Sequence, residues 1–171
     1  MQLHRSPPSG FDMLAGCCRP LLAVHGAERI TCDSFYDTVE LGQIEGAGCE
    51  PGKLKLILLT YGDFDHTGNA KYLRERFTSK IAMHRDDLGM VERGDMFWNR
   101  GLGNVLVKAL APVLFQFRHS GRFSPDLFIE DGYVLAEYGA SLKVVHLLGH
   151  ARGSIGLLTD KGELLWRSAY Q

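Results

Sequence analysis

The sequence predicts an α/β fold, because short apolar segments typical of strands alternate along the chain with amphipathic segments typical of helices. Leu54 to Leu59 is a nearly continuous apolar run, which indicates a strand covered on both faces. The segment 69–77 predicts a surface helix packed on the sheet, because its apolar residues share one face. These residues are Ala70, Leu73 and Phe77. With 171 residues, 45% of them hydrophobic, the chain can bury the core of one such domain.

The N-terminal part predicts a lead-in followed by a β-hairpin. Residues 1–18 contain prolines and glycines that interrupt any apolar core, so we expect a poorly ordered lead-in and no secretory signal, with the domain spanning 19–171. Leu21 to Val24 and Arg29 to Cys32 are apolar segments on either side of a glycine-containing turn, which is typical of a hairpin. Thr38 to Glu45 is weakly helical and is closed by a stretch rich in glycine.

The middle of the chain predicts one more strand and then an insertion. Ile81 to Met83 is a short apolar strand. Residues 85–122 leave the regular alternation and predict a helical insertion over the site. Within it, Leu102 to Phe117 follows the spacing of an amphipathic helix, which Pro112 must kink or divide. Its polar face lacks a run of Lys and Arg, so we favour a core-facing stripe over a membrane-surface helix.

The C-terminal third predicts strands joined by turns. Phe128-Ile129 precedes an acidic turn, after which Tyr133 to Leu135 is predicted to be its hairpin partner. Leu142 to His146 predicts another strand. Ile155 to Leu158 and Glu163 to Trp166 predict a closing hairpin.

Charge and cysteine usage restrict the classes of partner and compartment. The net charge of −1 provides no basic footprint for nucleic acid or an anionic membrane. No apolar stretch reaches the ~20 residues that a membrane-spanning helix needs. The cysteines show no Cys-x-x-Cys pair, which favours reduced thiols in a cytoplasm over a zinc knuckle or a disulfide scaffold. They are Cys17, Cys18, Cys32 and Cys49.

Two polar segments that follow apolar strands are candidates for chemistry. After Leu59 the chain turns through Tyr61-x-Asp63-x-Asp65-His66, where carboxylates and an imidazole crowd a strand end, as metal ligands often do. The second segment runs from His146 to Gly156. A simpler interpretation is that Asp63 and Asp65 only cap a helix that begins at His66.

Both segments resemble the metallo-β-lactamase superfamily. Its hallmark is His-x-His-x-Asp-His followed by Thr/Ile-Gly, and Tyr61-x-Asp63-x-Asp65-His66-Thr67-Gly68 stands here in its place. The later family segment His-x-x-Gly-His-x-x-Gly-Ser is similar to the stretch that starts at His146 and contains His150. The similarity runs from about Leu21 to Leu165. It implies an αββα four-layer sandwich, an α+β sandwich within the α/β class, whose second half is incomplete in this chain.

The resemblance also implies a set of metal ligands. Tyr61 and Asp63 take first-site positions together with His150, while Asp65 and His66 belong to a second site. The implied ligands of this chain are therefore Asp63, Asp65, His66 and His150, with Asp65 also implied as a catalytic proton acceptor. The implied cofactor is zinc, as one or two ions, with iron or manganese as alternatives.

The chain departs from the family pattern at several positions. Tyr61 stands where the hallmark has His, and its phenol, with an ordinary pKa near ~10, ligates zinc only after losing its proton. After Leu165 the family pattern has Gly-Asp, whose Asp bridges two metals, but Trp166-Arg167-Ser168 follows here. We expect either a C-terminally truncated member or a chain that diverges at its end. Asp33-Ser34 matches a family position that supports the metal site and is equally well explained as a helix cap.

Two functions therefore remain open. The first is a metal-dependent hydrolase in which metal-bound hydroxide attacks an ester, thioester, lactam or phosphoester bond of a small-molecule substrate. The second is an inactive metallo-β-lactamase-like domain that acts at most as a binding module. The sequence predicts neither the substrate nor the oligomeric state.

Overall fold

The computed structural model of the protein describes residues 12–14, 21–25, 28–32, 50–95, 97–99 and 121–165. For the first three ranges and for Asp65, only the backbone is described. The predicted helices at 38–45 and 102–117, the Asp33-Ser34 pair and the tail after Leu165 lie outside these residues.

A six-stranded sheet forms one half of the described structure, with its strands side by side in chain order. Its first three strands are antiparallel, and the pairings from β3 to β6 are parallel. The hairpin predicted around residues 25–28 is confirmed. The strands are β1 (Asp12–Leu14), β2 (Leu21–His25), β3 (Glu28–Cys32), β4 (Leu54–Leu58), β5 (Lys80–Met83) and β6 (Leu127–Phe128). β1 lies inside the predicted lead-in, and the domain boundaries at 1–18 and 19–171 stay predictions.

A second sheet has three antiparallel strands, in the order β7, β8, β9. They are β7 (Leu142–His146), β8 (Ile155–Thr159) and β9 (Leu164–Leu165). The closing hairpin that the sequence predicts is confirmed by the pairing of β8 with β9.

Short helices connect and cover the strands. The α-helices are α1 (Phe64–Thr67), α2 (Ala70–Phe77) and α3 (Leu88–Arg93), and the 3-10 helices are η1 (Arg85–Asp87) and η2 (Leu135–Tyr138). The predicted helix at 69–77 is confirmed by α2. Its buried residues are the predicted ones: Ala70, Leu73 and Phe77.

The core consists of two apolar layers on opposite faces of β4. Ile57 and Leu59 pack with the buried residues of α2. Leu56 and Leu58 pack with Val144 of β7 and with other residues of the second sheet. Alternate side chains of one strand thus enter different layers, which explains the nearly continuous apolar run. The described residues form a helix layer, a sheet and a second sheet, in agreement with the predicted α/β sandwich.

The predicted pairing of 128–129 with 133–135 is wrong. Phe128 belongs to β6, which pairs in parallel with β5, while Val134 forms a bridge with Lys143. Asp126 explains why this segment pairs with β5. Its side chain accepts a hydrogen bond from the backbone N–H of Ile81 at 2.8 Å, and its own N–H donates to the Ile81 carbonyl at 2.9 Å. These bonds align the segment with β5, a partner 45 residues away that local turn chemistry does not reveal.

No helix among the described residues is long and apolar enough to cross a membrane.

Replacing Phe77 by Ala should destabilise the fold strongly. The side chain is fully buried between α2 and the sheet, and a Phe-to-Ala change in a core costs about 3–5 kcal/mol through lost burial and the cavity left behind. Tyr72→Ala on the same helix is the matched control, because Tyr72 is 51% exposed and should cost less than about 1 kcal/mol. Urea unfolding measures both variants, and equal losses would contradict this packing.

Candidate metal centre

The end of β4 places the first segment at the edge of the sheet. Leu59 extends the pairing with β5, because its N–H donates to the Ala82 carbonyl at 2.9 Å. Beyond it the chain turns inward, so that Tyr61 is 2% exposed and Asp63 is 4% exposed. Both side chains are therefore buried at the end of a rigid strand.

Helix α1 begins at Phe64, two residues before the predicted start at His66. Asp63 occupies the N-cap position, but its side chain makes no capping hydrogen bond. Its backbone carbonyl accepts from the N–H groups of His66 at 2.9 Å and Thr67 at 3.0 Å. Asp63 therefore does not cap α1 through its side chain, and for this residue the capping interpretation is wrong.

The second segment is a loop between β7 and β8 that is closed by its own hydrogen bonds. Leu147 N–H donates to the Ser154 carbonyl at 2.8 Å, and Ala151 N–H donates to the Ser154 hydroxyl at 3.0 Å. The next residue, Ile155, donates its N–H to the Thr60 carbonyl at 2.8 Å. This bond joins the loop of the second sheet directly to the turn that follows β4.

Two pairs of polar side chains meet where these segments touch. His150 Nε2 lies 2.8 Å from Asp63 Oδ2, so the imidazole donates to a carboxylate from the other sheet. The Tyr61 hydroxyl is hydrogen-bonded to His66 Nε2. The Tyr61 ring contacts both imidazoles, with centroids 3.9 Å from His66 and 4.9 Å from His150.

The predicted ligands therefore have different surroundings. Asp63 and His150 are in direct contact, whereas the Nε2 of His66 is bonded to Tyr61. The side chain of Asp65 is outside the described residues.

A second group of candidate donors lies on His84, Asp86 and His146, whose ligand atoms are all within 4.8 Å of one another. The rings of His84 and His146 are stacked, with centroids 4.4 Å apart and an interplanar angle of 16°. His84 Nδ1 accepts from Asp86 N–H at 3.2 Å, and His146 Nε2 donates to the Arg152 carbonyl at 2.6 Å. Each imidazole thus already uses one nitrogen on the backbone. The bond from His146 to Arg152 connects the end of β7 to the second segment.

Asp87 is the site residue that sequence reasoning missed. The sequence permits two interpretations of Asp87, a helix-start acid or part of a charged lid, and the structure places it at the start of α3 with an additional role that neither interpretation includes. Asp87 is 1% exposed, and its carboxylate accepts from Gly62 N–H at 3.1 Å and from Gly153 N–H at 2.9 Å. It makes no side-chain cap of α3. No signal in the sequence separates it from its half-exposed neighbour Asp86, because both follow β5 in the same charged turn.

The arrangement is chemically suited to a divalent metal. Zinc binds imidazole nitrogen and carboxylate oxygen at about 2.0–2.2 Å, so two ligands of one ion lie roughly 3 Å apart. The 2.8 Å between His150 Nε2 and Asp63 Oδ2 is close to that separation. A metal ion could replace the proton that these two atoms share.

We compared the chain with a family model and with known proteins. The family model described as the metallo-beta-lactamase superfamily matches residues 31–165. The chain is 30% identical over 128 residues to acyl-coenzyme A thioesterase MBLAC2 of Bos taurus, a match that covers 71% of this chain and 42% of that protein. It is 29% identical over 108 residues to hydroxyacylglutathione hydrolase GloC of Haemophilus influenzae, a match that covers 61% of this chain and 44% of that protein.

Solved structures share the fold. A metallo-β-lactamase of Cronobacter sakazakii with a HARLDQ motif superposes with a TM-score of 0.64 at 18% identity, covering 85% of this chain and 53% of that one. The metallo-β-lactamase GOB-18 of Elizabethkingia meningoseptica superposes with a TM-score of 0.63 at 17% identity, and the match covers 89% of this chain and 51% of that one. The chain thus spans about half of these structures and less than half of the curated relatives. With a family model that matches residues 31–165, the chain belongs to the metallo-β-lactamase superfamily.

Proposed function

We propose that this chain is a metal-dependent hydrolase that cleaves an ester, thioester, lactam or phosphoester bond of a small molecule. The observation that carries the proposal is the 2.8 Å contact between Asp63 and His150, which are 87 residues apart and belong to the two segments that resemble the family's ligand motifs. A carboxylate and an imidazole that the fold brings together at ligand spacing are a metal-binding pair by their chemistry.

We propose Asp63, Asp65, His66 and His150 as the residues that hold the metal. Zinc, as one or two ions, matches this mixture of nitrogen and oxygen donors, and iron or manganese are alternatives. When bound, such an ion supplies a Lewis acid that polarises the substrate oxygen and lowers the pKa of a water to ~7.

The chain's own residues fix the geometry and exclude water. Asp63 orients the imidazole of His150 through their hydrogen bond, and the burial of Asp63 keeps bulk water from competing for its oxygen. Tyr61 is hydrogen-bonded to Nε2 of His66 and covers that side of the site with its ring. Asp65, which lies next to His66 in α1, is proposed to accept the proton released when water attacks the substrate.

Acyl thioesters are the substrates to test first. Of the two relatives, one is named for acyl-coenzyme A thioesters and the other for hydroxyacylglutathione, and together they support an acyl group carried on a thiol. Because the chain spans less than half of each, the substrate is a proposal for this chain.

A binding module without turnover is the second candidate. Tyr61 favours it, because its hydroxyl is hydrogen-bonded to Nε2, one of the two ring nitrogens of His66 that could ligate a metal, and its ring lies beside His150. In this case the domain would bind at most one metal ion, at the Asp63–His150 pair.

Removing His150 should weaken metal binding, because it deletes one of the two donors that are already in contact. We expect His150→Ala to lower zinc affinity by about tenfold or more. His84→Ala is the matched control, since His84 stands in the other donor group and its loss should leave zinc content unchanged. Elemental analysis of purified protein, with competition against a chromogenic chelator, measures both. Loss of metal in His84→Ala alone would place the metal at the other group and contradict the proposed ligands.

Replacing Tyr61 by His should strengthen metal binding and thioester turnover. The substitution supplies the imidazole that the hallmark has at this position and removes the phenol from Nε2 of His66. We expect a gain of about tenfold in zinc affinity, comparable to what a supporting ligand contributes. Tyr61→Phe is the control, because it removes the hydroxyl without adding a ligand.

The assay is hydrolysis of an acyl-coenzyme A and of a phosphodiester, with and without added zinc. Turnover by the wild type that is lost in His150→Ala supports the hydrolase. If wild type and Tyr61→His both retain zinc and neither turns over any substrate, the binding module is the better description.

A further inference from the structure

We propose that Asp87 is a positioning residue that holds the two ligand-bearing segments of the metal centre at the separation that one ion requires. The inference rests on the proposed function, because it assigns a role toward the metal that Asp63 and His150 would share. Asp87 is connected to the two segments through hydrogen bonds with their backbone N–H groups.

One buried carboxylate connects both segments. Oδ2 of Asp87 accepts from the N–H of Gly62, which lies between Tyr61 and Asp63, at 3.1 Å. Oδ1 accepts from the N–H of Gly153, three residues after His150, at 2.9 Å. The bonds span 25 and 66 residues. Because hydrogen bonds to a carboxylate are roughly twice as strong as neutral ones, both segments are held firmly to one point.

The glycines on either side give an independent observation. A Cβ at Gly153 would lie 2.7 Å from Asp87 Cγ and 3.0 Å from Asp87 N, and a Cβ at Gly62 would lie 3.1 Å from the Asp87 carbonyl and 2.8 Å from Met90 Cβ. A contact under 3.0 Å requires the neighbouring atoms to move, and here those atoms belong to Asp87 and Met90. Gly153 therefore approaches Asp87 more closely than a residue with a Cβ could without a shift, and Gly62 packs closely against Met90 and the Asp87 carbonyl.

The metal centre is sensitive to this contact because metal geometry tolerates little error. Ligand distances in a working site stay within about ±0.2 Å, so a shift between the two segments moves Asp63 away from His150. The backbone bond from Ile155 to Thr60 is a second connection, but it lies before Tyr61 and after Ser154, outside the stretches that carry the ligands. Asp87 acts on the ligand-bearing stretches themselves.

Asp87→Asn is the most direct test, because it keeps the shape of the side chain and replaces one acceptor oxygen by an N–H₂ group. That group would face a backbone N–H, so one of the two connections is lost. We expect Co²⁺ affinity to fall about 10–100-fold, the usual effect of losing a group that orients metal ligands, and the visible absorption bands of bound Co²⁺ to shift. The control is Asp160→Asn, which removes an exposed carboxylate from the turn between β8 and β9. It should change neither the Co²⁺ affinity nor the absorption bands.

The readouts are Co²⁺ titration of the intact chain followed by absorption, with far-UV circular dichroism to confirm folding. Unchanged Co²⁺ affinity and bands in folded Asp87→Asn, beside normal binding by the wild type, would overturn the role of Asp87 alone. No Co²⁺ binding by the wild type would overturn the proposed metal function and this inference with it.

A second pair of variants keeps the test decisive if Asp87→Asn does not fold. Gly153→Ala leaves the carboxylate intact but forces a Cβ against it, whereas Gly149→Ala places a Cβ in the same loop with no atom within 4 Å. We expect Gly153→Ala to weaken Co²⁺ binding about tenfold or more and Gly149→Ala to leave it unchanged. Equal Co²⁺ affinities in the two variants would contradict the proposal.

Discussion

The hydrogen bonds between the two ligand-bearing segments are the constraint on which the site depends. One segment follows β4 of the six-stranded sheet, and the other joins β7 to β8 in the three-stranded sheet, so no strand pairing joins the two segments. The bond from Ile155 to Thr60 and the two bonds accepted by Asp87 connect them instead. Together with the packing of β4 on the second sheet, these bonds bring Asp63 and His150 to 2.8 Å from each other.

The apolar layers make this constraint rigid. Ile57 and Leu59 are packed against α2, while Leu56 and Leu58 are packed against the second sheet, so the strand that delivers Tyr61 cannot tilt without opening a cavity on one side. Burial also explains why the polar groups are paired. An unpaired polar group in such a layer costs about 1–3 kcal/mol, and the buried carboxylate of Asp87 avoids that cost by binding backbone N–H groups that would themselves need partners.

The sequence predicts what local patterns determine and misses what distant contacts determine. The buried strand β4, the apolar face of α2 and the closing hairpin follow from periodicity within a few residues. The parallel pairing of β6 with β5 depends on Asp126 and a strand 45 residues away, and the role of Asp87 depends on glycines 25 and 66 residues away. An acidic residue after a strand has the same local pattern in either role, so no property of one sequence separates Asp87 from Asp86. The resemblance to the family's motifs singles out Asp63 and His150, and the structure brings these two side chains into contact.

Tyr61 limits the metal centre through its volume more than through its hydrogen bond. For His66 to bind a metal through Nε2, the bond to the Tyr61 hydroxyl must break, and a hydrogen bond of this kind contributes about 0.5–1.5 kcal/mol. Structural zinc in small domains binds with about 10–16 kcal/mol, so that loss alone would not exclude the ion. The ring is the larger obstacle: it is 2% exposed and packed against both imidazoles, and moving it would disrupt a close-packed interior. The donor atoms of Asp63 and His150 are already 2.8 Å apart, so on the proposed ligand set we expect a first ion to bind to this pair before it engages His66.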